Sequence, residues 1–367
     1  MSVCLSGAAF WAALIGAASW GQPPAATSKA AAKAAAEKLK AIWEPVPFSR
    51  DIGLHDIECT GANECWAVGD KSTVLHTTNG GSTWDVLLGG DPDSVDEPLR
   101  FLHVLDQRHA WAMTPRGKIL ATADGKSWSE RHSAGGTAKG VWFSSPLAGI
   151  LIDNPDSTWQ TTLRITSDGG KSWKPVSRCG LEASVDGLTR RLACMWLTAQ
   201  FVAPGVLYAA GNAAVGDYVA VFGKSGDAGQ SWDLALVPDV RRKFTSLHFW
   251  SQTHGIAVAD RGEEVHWTED GGATWNRSAR QRLWPSFHAS GEGKIIVGVG
   301  ENGGISYSFD GGRTFTSRPF TLPARARAVA FPDATHGYLV GEHGMAYRYR
   351  IVPFEYSAKG MLPAMAR

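Results

Sequence analysis

Six near-copies of one short glycine-rich motif constrain the fold of this chain more than any other feature. They read TTNGGSTW, TADGKSW, TSDGGKSW, SGDAGQSW, TEDGGATW and SFDGGRTF. Their closing aromatic residues are Trp84, Trp128, Trp173, Trp232, Trp275 and Phe315. Apart from one longer step, these residues recur about every 40–45 positions, which is the length of a four-stranded propeller blade. An active site needs one constellation of residues, so six copies predict a repeated architecture.

The segments between the motifs predict an all-β, seven-bladed β-propeller of four-stranded blades. They alternate apolar and polar residues with the period of two that is typical of strands. The last unit, 326–350, supplies three strands and ends before any motif. The missing fourth strand is predicted at 42–48, where IWEPVPF matches the SWKPVSR that starts inside a motif. An N-terminal strand that completes the last blade closes the ring and removes both free sheet edges.

The motif residues are those of a tight turn between the third and fourth strands of a blade. An aspartate side chain accepts backbone N–H groups of its own turn, and the glycines allow positive φ. The aromatic residue then begins the outer strand and packs between sheets. We assign a structural role to Asn79, Asp124, Asp168, Asp227, Asp270 and Asp310. The alternative, that these carboxylates bind metal or act as acids, is less favoured because turn formation explains every position.

The two ends of the chain differ from the repeats. An apolar run with small residues at its end predicts a signal peptide at 1–20, although no Lys or Arg precedes the run. The alternative is a short apolar membrane anchor. Residues 21–41 form an Ala/Lys-rich spacer, 42–352 the propeller and 353–367 a C-terminal tail. The predicted location is exported: periplasmic, lumenal or extracellular.

Cysteine parity agrees with export. Cys4 falls in the predicted signal peptide, which leaves an even number of cysteines in the mature chain. Cys59 and Cys65 flank a predicted hairpin loop, and Cys179 and Cys194 bracket an insertion, so two disulfides are predicted. The alternative for each pair is two buried free thiols. No Cys/His spacing resembles a zinc site, and we predict neither metal nor cofactor.

Charge points to a local rather than a global binding surface. The chain has 36 Lys+Arg against 35 Asp+Glu, a formal net charge of +1, so nothing favours nucleic acid. Basic residues nevertheless recur where the predicted first strands begin, at the channel mouth. These residues are Arg100, Lys139, Arg242, Lys243, Arg325 and Arg327, with further arginines in RSARQR at 277–282. The alternative is scattered solvated charge.

Insertions fall on the face opposite the motifs, where the fourth-to-first and second-to-third connections lie. They are 178–200, which explains the one long step, together with 153–162 and 211–220. Loops on a rigid scaffold commonly carry function, so this face is the predicted working face.

The motifs resemble the Asp-box (BNR) repeat. HGIAVADRGEEVHWTEDGGATW and HGYLVGEHGMAYRYR resemble the photosystem II stability/assembly-factor-like family of seven-bladed propellers. The resemblance spans the repeat region and implies a non-enzymatic binding or assembly module. Its expected partner is a protein such as a membrane-complex subunit, with an anionic ligand as the alternative.

Two other functions remain open. A sialidase-like glycoside hydrolase needs an arginine triad, which Arg100, Arg242 and Arg327 would have to supply, but the expected Phe/Tyr-Arg-Ile-Pro signature is absent. A non-catalytic glycan-binding propeller would stack sugars on tryptophans outside the motifs. The candidates are Trp159, Trp196, Trp250 and Trp284.

Overall fold

The computed structural model describes residues 39–46, 48–156, 159–185, 187–215, 217–260, 264–279, 288–290, 293, 295–300, 304–318 and 320–353. The predicted signal peptide, the spacer up to residue 38 and the tail beyond Pro353 lie outside these residues. So do Arg280 and Arg282 of the RSARQR stretch. The chain divides into two compact units, 41–351 and 1–40 with 352–367. The first of these units is the propeller.

The first three blades each contain four antiparallel strands in chain order. Blade 1 consists of β2 (Leu54–Gly61), β3 (Glu64–Gly69), β4 (Val74–Thr77) and β5 (Asp85–Leu88). Blade 2 consists of β6 (Phe101–Val104), β7 (Ala110–Met113), β8 (Lys118–Thr122) and β9 (Ser129–Ser133). Blade 3 consists of β10 (Thr137–Phe143), β11 (Gly149–Asn154), β12 (Thr162–Thr166) and β13 (Lys174–Arg178).

Blades 4 to 6 follow the same order, with one additional strand in blade 4, and blade 7 takes its outermost strand from the start of the chain. Blade 4 consists of β14 (Gly180–Val185), β15 (Leu188–Ala203), β16 (Val206–Val215), β17 (Asp217–Ser225) and β18 (Asp233–Val237). Blade 5 consists of β19 (Phe244–Phe249), β20 (Gly255–Ala259), β21 (Glu264–Thr268) and β22 (Asn276–Arg277). Blade 6 consists of β23 (His288–Ser290), β24 (Ile296–Val299), β25 (Ile305–Ser308) and β26 (Thr316–Arg318). Blade 7 consists of β27 (Ala326–Ala330), β28 (His336–Gly341), β29 (Ala346–Pro353) and, from the other end of the chain, β1 (Leu39–Pro45).

Blade 7 confirms the predicted closure of the ring. Its strand order is β27, β28, β29 and β1, so the N-terminal strand is the outermost of the blade. Val46 N–H donates to the Ala346 carbonyl at 2.9 Å just after β1 ends. The strand begins at Leu39, so its first three residues lie in the stretch predicted as spacer.

The core lies between the blades. Each sheet packs one face on the preceding blade and the other on the next, so the second strands are buried almost throughout. Trp66 and Val68 of blade 1 pack with Ala112 of blade 2. Ala67, on the opposite face of the same strand, packs with Val340 of blade 7. Strands buried on both faces read as continuous apolar runs, which explains sequences such as CWAV and GIAVA.

Backbone hydrogen bonds define the two faces of the ring. In blades 1, 3 and 5 a motif glycine amide donates to a carbonyl of the turn between the first two strands: Gly80 to Asn63, Gly169 to Leu147 and Gly271 to Thr253. We call this side the box face. On the opposite side, the second-to-third connection bonds to the chain entering a first strand, as in Asp260 N–H to the Lys243 carbonyl.

The long insertion before blade 4 is a β-hairpin. β14 pairs with β15 from Gly180↔Ala193 to Val185↔Leu188, and β15 then continues as the first strand of the blade from Cys194 onward. The insertion therefore extends a blade strand beyond the body of the sheet, on the side opposite the box face.

Candidate functional site

The first strands surround a central channel. Its cavity has a volume of about 690 Å³ and is lined by residues of β2, β6, β10, β15, β19 and β27. The lining includes His55, Arg100, Lys139, Leu197 and Thr245, one from each of blades 1 to 5. This places part of the predicted basic set at one end of a continuous cavity.

A β-bulge recurs at the same position in five first strands. The strand register shifts by one residue at His55, Lys139, Leu197, Thr245 and Arg327. Bulges bend a strand and redirect the extra side chain, and they are common beside functional sites. Arg100 occupies this position in blade 2, because Leu102 pairs with Ala112 as Ile57 pairs with Ala67 in blade 1. The side chains of β23, in blade 6, lie outside the described part of the chain.

Four consecutive blades carry a basic side chain at this position. In ring order they are Arg327 in blade 7, His55 in blade 1, Arg100 in blade 2 and Lys139 in blade 3. We call these four residues the basic arc. Blades 4 and 5 have the uncharged residues Leu197 and Thr245 instead, so among the described first strands the basic residues are confined to one side of the mouth.

His55 joins the arc to a carboxylate. Nη1 of Arg100 donates to Nδ1 of His55 at 2.9 Å, which leaves Nε2–H to donate to Asp70 at 2.7 Å. Burial lowers the pKa of His55, the hydrogen bond to Asp70 opposes that change, and the charge of Arg100 lowers the pKa further. A neutral imidazole is the form that fits these bonds.

Part of the charge of the arc is neutralised by acids on the second-to-third connections. Arg100 lies 3.8 Å from Asp70, and Arg327 pairs with Glu342. Lys139 has no carboxylate within ion-pair distance among the described residues. Arg100 and Arg327 therefore each have a nearby carboxylate, whereas Lys139 adds a positive charge that no described carboxylate pairs with.

The other three predicted cations lie elsewhere. Arg242 pairs with Asp260 at 2.9 Å and lines a separate cavity of about 300 Å³ with Glu264 and Arg277. Nζ of Lys243 lies 3.8 Å from the ring centre of Tyr218. Arg325 is exposed two residues before the bulge of its strand. The structure thus places Arg100 and Lys139 in the channel lining, with Arg327 close enough to influence the charge of Arg100. It does not bring Arg242, Lys243 and Arg325 to this position.

Sequence reasoning missed His55. The signal was available: aligning LHDIE with LRFLH, AKGVW and ARAVA puts His55 in register with the arginines and the lysine. The sequence prediction considered only Lys and Arg as basic residues and therefore left His55 out.

Two acidic side chains below the arc bind the neighbouring blade. Asp56 accepts Leu102 N–H at 3.0 Å, and Glu58 accepts Val104 N–H at 2.7 Å. The channel edge of an innermost strand has no strand beside it, so its amides need other acceptors. Burial raises the pKa of Asp56 to about 6. Burial, reinforced by the charge of Asp56, raises the pKa of Glu58 to about 8.

Other channel residues bridge neighbouring blades in the same way. Nε2 of His103 donates to the Phe143 carbonyl at 2.9 Å, and burial lowers the pKa of His103 to about 4. Gln200 donates to the Phe249 carbonyl and accepts Phe249 N–H, both at 2.8 Å. Such side-chain bridges therefore join blades 1 and 2, blades 2 and 3, and blades 4 and 5 along the channel wall.

The motif aspartates lie in turns on the box face, away from the innermost strands. Asp168 accepts the N–H groups of Lys171 and Ser172, both at 3.0 Å, and the Ser172 hydroxyl at 2.6 Å. Hydrogen bonds from Ser172 hold the pKa of Asp168 well below its usual range. Gly169 and Gly170 have φ of 77° and 88°, as the turn requires. The same acceptor pattern is seen in Asn79, Asp124, Asp227, Asp270 and Asp310.

Both predicted disulfides are present. Cys59–Cys65 links directly opposed residues of β2 and β3, with Cα atoms 4.0 Å apart. Cys179–Cys194 closes the base of the blade 4 hairpin, with Cα atoms 4.9 Å apart. The second bridge fixes the hairpin where it leaves the blade.

The residues proposed for the two carbohydrate functions are not assembled. Arg242 lies in a different cavity from Arg100, so the three arginines do not form a triad. Trp196 is fully buried, so its ring faces are unavailable to a sugar, whereas Trp159 and Trp250 are partly buried and Trp250 packs against an interblade core. Trp284 lies outside the described residues. Within the described ranges no three His, Cys, Asp or Glu side chains gather as metal ligands.

A search of the described residues finds no helix long and apolar enough to cross a membrane.

Comparison with known proteins gives relatives of one kind. No family model matches the chain. The photosystem II stability/assembly factor HCF136, chloroplastic, of Arabidopsis thaliana is 23% identical over 354 residues, which is 86% of this chain and 81% of that protein. The photosystem II assembly lipoprotein Ycf48 of Picosynechococcus is 25% identical over 327 residues, 84% of this chain and 87% of that protein.

A solved structure described as YCF48 bound to D1 peptide has the same fold. It superposes with a TM-score of 0.58 at 18% identity and covers 84% of this chain and 96% of its own. Together, the repeats, the closed ring and these relatives identify the chain as a seven-bladed β-propeller whose homologues are photosystem II stability and assembly factors.

Proposed function

We propose that this protein is a non-enzymatic assembly factor that holds an acidic segment of a membrane-complex polypeptide against the basic arc. The observation that carries the proposal is the arc itself, one basic residue at the same strand position in four consecutive blades. The names of the relatives support the assembly role, and the D1 peptide bound to a propeller of the same fold supports a polypeptide partner.

The clustered positive charges of the arc suit the recognition of an acidic group on a flexible polypeptide. Single exposed charges contribute little, but several cations around one concavity focus the potential and speed association with an acidic partner. The uncharged side of the mouth, at Leu197 and Thr245, gives such a segment an orientation. Its carboxylates face Arg100, Lys139 and Arg327, while its uncharged residues face blades 4 and 5.

The proposal includes the location and the domain plan. Residues 1–20 act as a signal peptide, the residues from 21 to the start of β1 as a spacer ahead of the propeller, and those after Pro353 as a tail. The two disulfides support an oxidising compartment, which is periplasmic, lumenal or extracellular. One relative named chloroplastic and another named a lipoprotein are consistent with export.

The test is the double variant Arg100→Gln/Arg327→Gln, measured by calorimetric titration with a D1-derived peptide at two ionic strengths. Glutamine is preferred to glutamate because Asp70 and Glu342 lie beside these positions and would repel a new carboxylate. We expect affinity to fall by about tenfold or more and the salt dependence to flatten, because added salt screens these charges.

The matched control is Arg108→Gln/Arg131→Gln, which removes the same charge outside the channel. It should bind as the wild type does. Equal peptide affinity and equal salt response in both double variants would exclude the arc as the binding surface.

A further inference from the structure

The contact between blades 6 and 7 differs from the other interblade contacts. In several blades the glycine turn of the motif packs on the preceding blade: a Cβ added to Gly81 would lie 3.2 Å from Tyr338, and one on Gly272 would lie 2.4 Å from Phe222. The third and fourth strands of blade 7 come from opposite ends of the chain, so no motif turn joins them. Between blades 6 and 7, other residues therefore line the space that a motif turn fills between other pairs of blades.

A cavity of about 340 Å³ lies at this contact. We call it the aromatic cage, and it is lined by Ala41, Ile42, Trp43, Tyr307, Phe309, Phe320 and Tyr349. Five of these seven residues are aromatic, and none of the described lining residues is charged. The cage is separate from the channel, which is lined by first strands.

A hydrogen bond and ring–ring contacts orient the aromatic side chains of the cage. Nε1 of Trp43 donates to the Tyr307 hydroxyl at 2.7 Å. The rings of Trp43 and Tyr349 meet edge to face with centroids 5.4 Å apart, and Phe320 packs edge to face on Tyr347 at 5.7 Å. A ligand would therefore find the rings already oriented, which reduces the entropy lost on binding.

Phe309 forms the outer wall and is unusual for its position. It follows the first residue of its motif, where the other five copies have Thr78, Ala123, Ser167, Gly226 and Glu269. Its side chain is 63% exposed, and its ring lies parallel to that of Tyr307 at 6.4 Å. Among the six motifs, only that of blade 6 has an aromatic residue at this position. Blade 6 is also the blade that contacts blade 7, which has no motif turn.

We propose that the aromatic cage binds a quaternary ammonium group. Ring faces carry negative potential and attract cations, and cages of aromatic rings recognise alkylated ammonium groups in this way. An anion would need basic side chains, which the described lining lacks. Other rings of this protein already hold its own cations, as Arg313 lies 4.7 Å over Trp267.

The test uses choline chloride as the probe and calorimetric titration of the full chain as the measurement. The neutral isostere 3,3-dimethyl-1-butanol has the same shape without the charge. We expect choline to bind with a Kd on the order of 1 mM and the isostere to bind clearly more weakly. Absence of choline binding at millimolar choline concentrations, or equal binding of the isostere, overturns the proposal.

Phe309→Ala removes one wall without touching the core. Loss of one ring face should weaken choline binding by about fivefold, since such a contact contributes about 1 kcal/mol at exposed sites. Leu147→Ala, at a residue 59% exposed in a turn of blade 3, is the control and should bind as the wild type does. An unchanged affinity in Phe309→Ala overturns the assignment.

Two further arms identify the source of the group. Glycine betaine represents a free solute, and phosphatidylcholine vesicles assayed by co-sedimentation represent a lipid headgroup. Binding of either, weakened by Phe309→Ala, supports the cage and names its ligand class. These readouts are independent of peptide binding at the arc.

Discussion

The carboxylate of Glu44 lies 2.9 Å from Nε of Arg348, across a separation of 304 residues in sequence. Glu44 is almost fully buried, and Arg350 approaches the same oxygen at 3.3 Å. The first and last strands of the ring are thus joined by a buried ion pair as well as by backbone pairing. The two ends of the chain are held together where a motif turn would otherwise connect the strands.

This relationship predicts that Glu44→Gln destabilises the propeller. The substitution leaves Arg348 largely buried without its counter-charge, and removing one partner of a buried pair typically lowers the free energy of unfolding by about 3–5 kcal/mol. Urea denaturation followed by tryptophan fluorescence measures the effect. The control Asp156→Asn, which breaks the exposed pair with Arg178, should lower the free energy of unfolding by less than about 1 kcal/mol. Equal effects of the two substitutions would contradict a closure role for Glu44.

Asp168→Ala should destabilise one turn and leave peptide binding intact. The variant loses four hydrogen bonds to its carboxylate in a partly exposed turn, so the free energy of unfolding should fall by about 1–2 kcal/mol. Ser167→Ala, at the exposed neighbouring position, is the control. Thermal melts and peptide titration measure the two properties separately. Lost binding without lost stability would show that the motif is a ligand site.

Both disulfides should be present in protein recovered from an oxidising compartment. Intact mass and thiol counting under non-reducing conditions should find Cys59, Cys65, Cys179 and Cys194 all blocked. Replacing Cys179 and Cys194 by alanine should lower the free energy of unfolding by about 3 kcal/mol, the value for a closed loop of about 15 residues. Limited proteolysis of that variant should cleave within the 180–193 hairpin, whereas intact wild type should resist.

Glu58→Gln should remove a pH dependence of stability. The native Glu58 keeps its proton up to a pH of about 8, whereas the unfolded chain releases it near the ordinary value of 4.5. Between these values the native state binds more protons, so this residue makes stability fall as pH rises. The amide can still accept Val104 N–H. The stability gain of Glu58→Gln over wild type should therefore grow from pH 5 to pH 9.

The control for this pH series is Glu130→Gln, on the exposed outer strand of blade 2. Its stability difference from wild type should stay constant over the same range. His103 acts in the opposite direction below a pH of about 6, because its lowered pKa makes the unfolded state bind more protons there. The comparison is therefore most direct above pH 7.

The sequence by itself determined the architecture. Six motifs at a regular spacing gave the blades, and the match between 42–48 and a motif gave the strand that closes the ring. Cysteine parity and loop placement gave both disulfide pairs. These features are local and repeated, so turn chemistry and strand periodicity suffice to recognise them.

Only the tertiary structure decided which side chains meet. Arg100, Lys139 and Arg327 lie at the same first-strand position as His55, which is a bulge in five of the blades. Arg242 and Arg325 lie three and two residues before that position in their own blades. Asp56 and Glu58 find their partners on the next blade, and Trp43 meets Tyr307 across 264 residues. Such contacts depend on bulges and on the packing of one blade against another, and a repeat that encodes each blade locally does not specify the side chains that its neighbour presents.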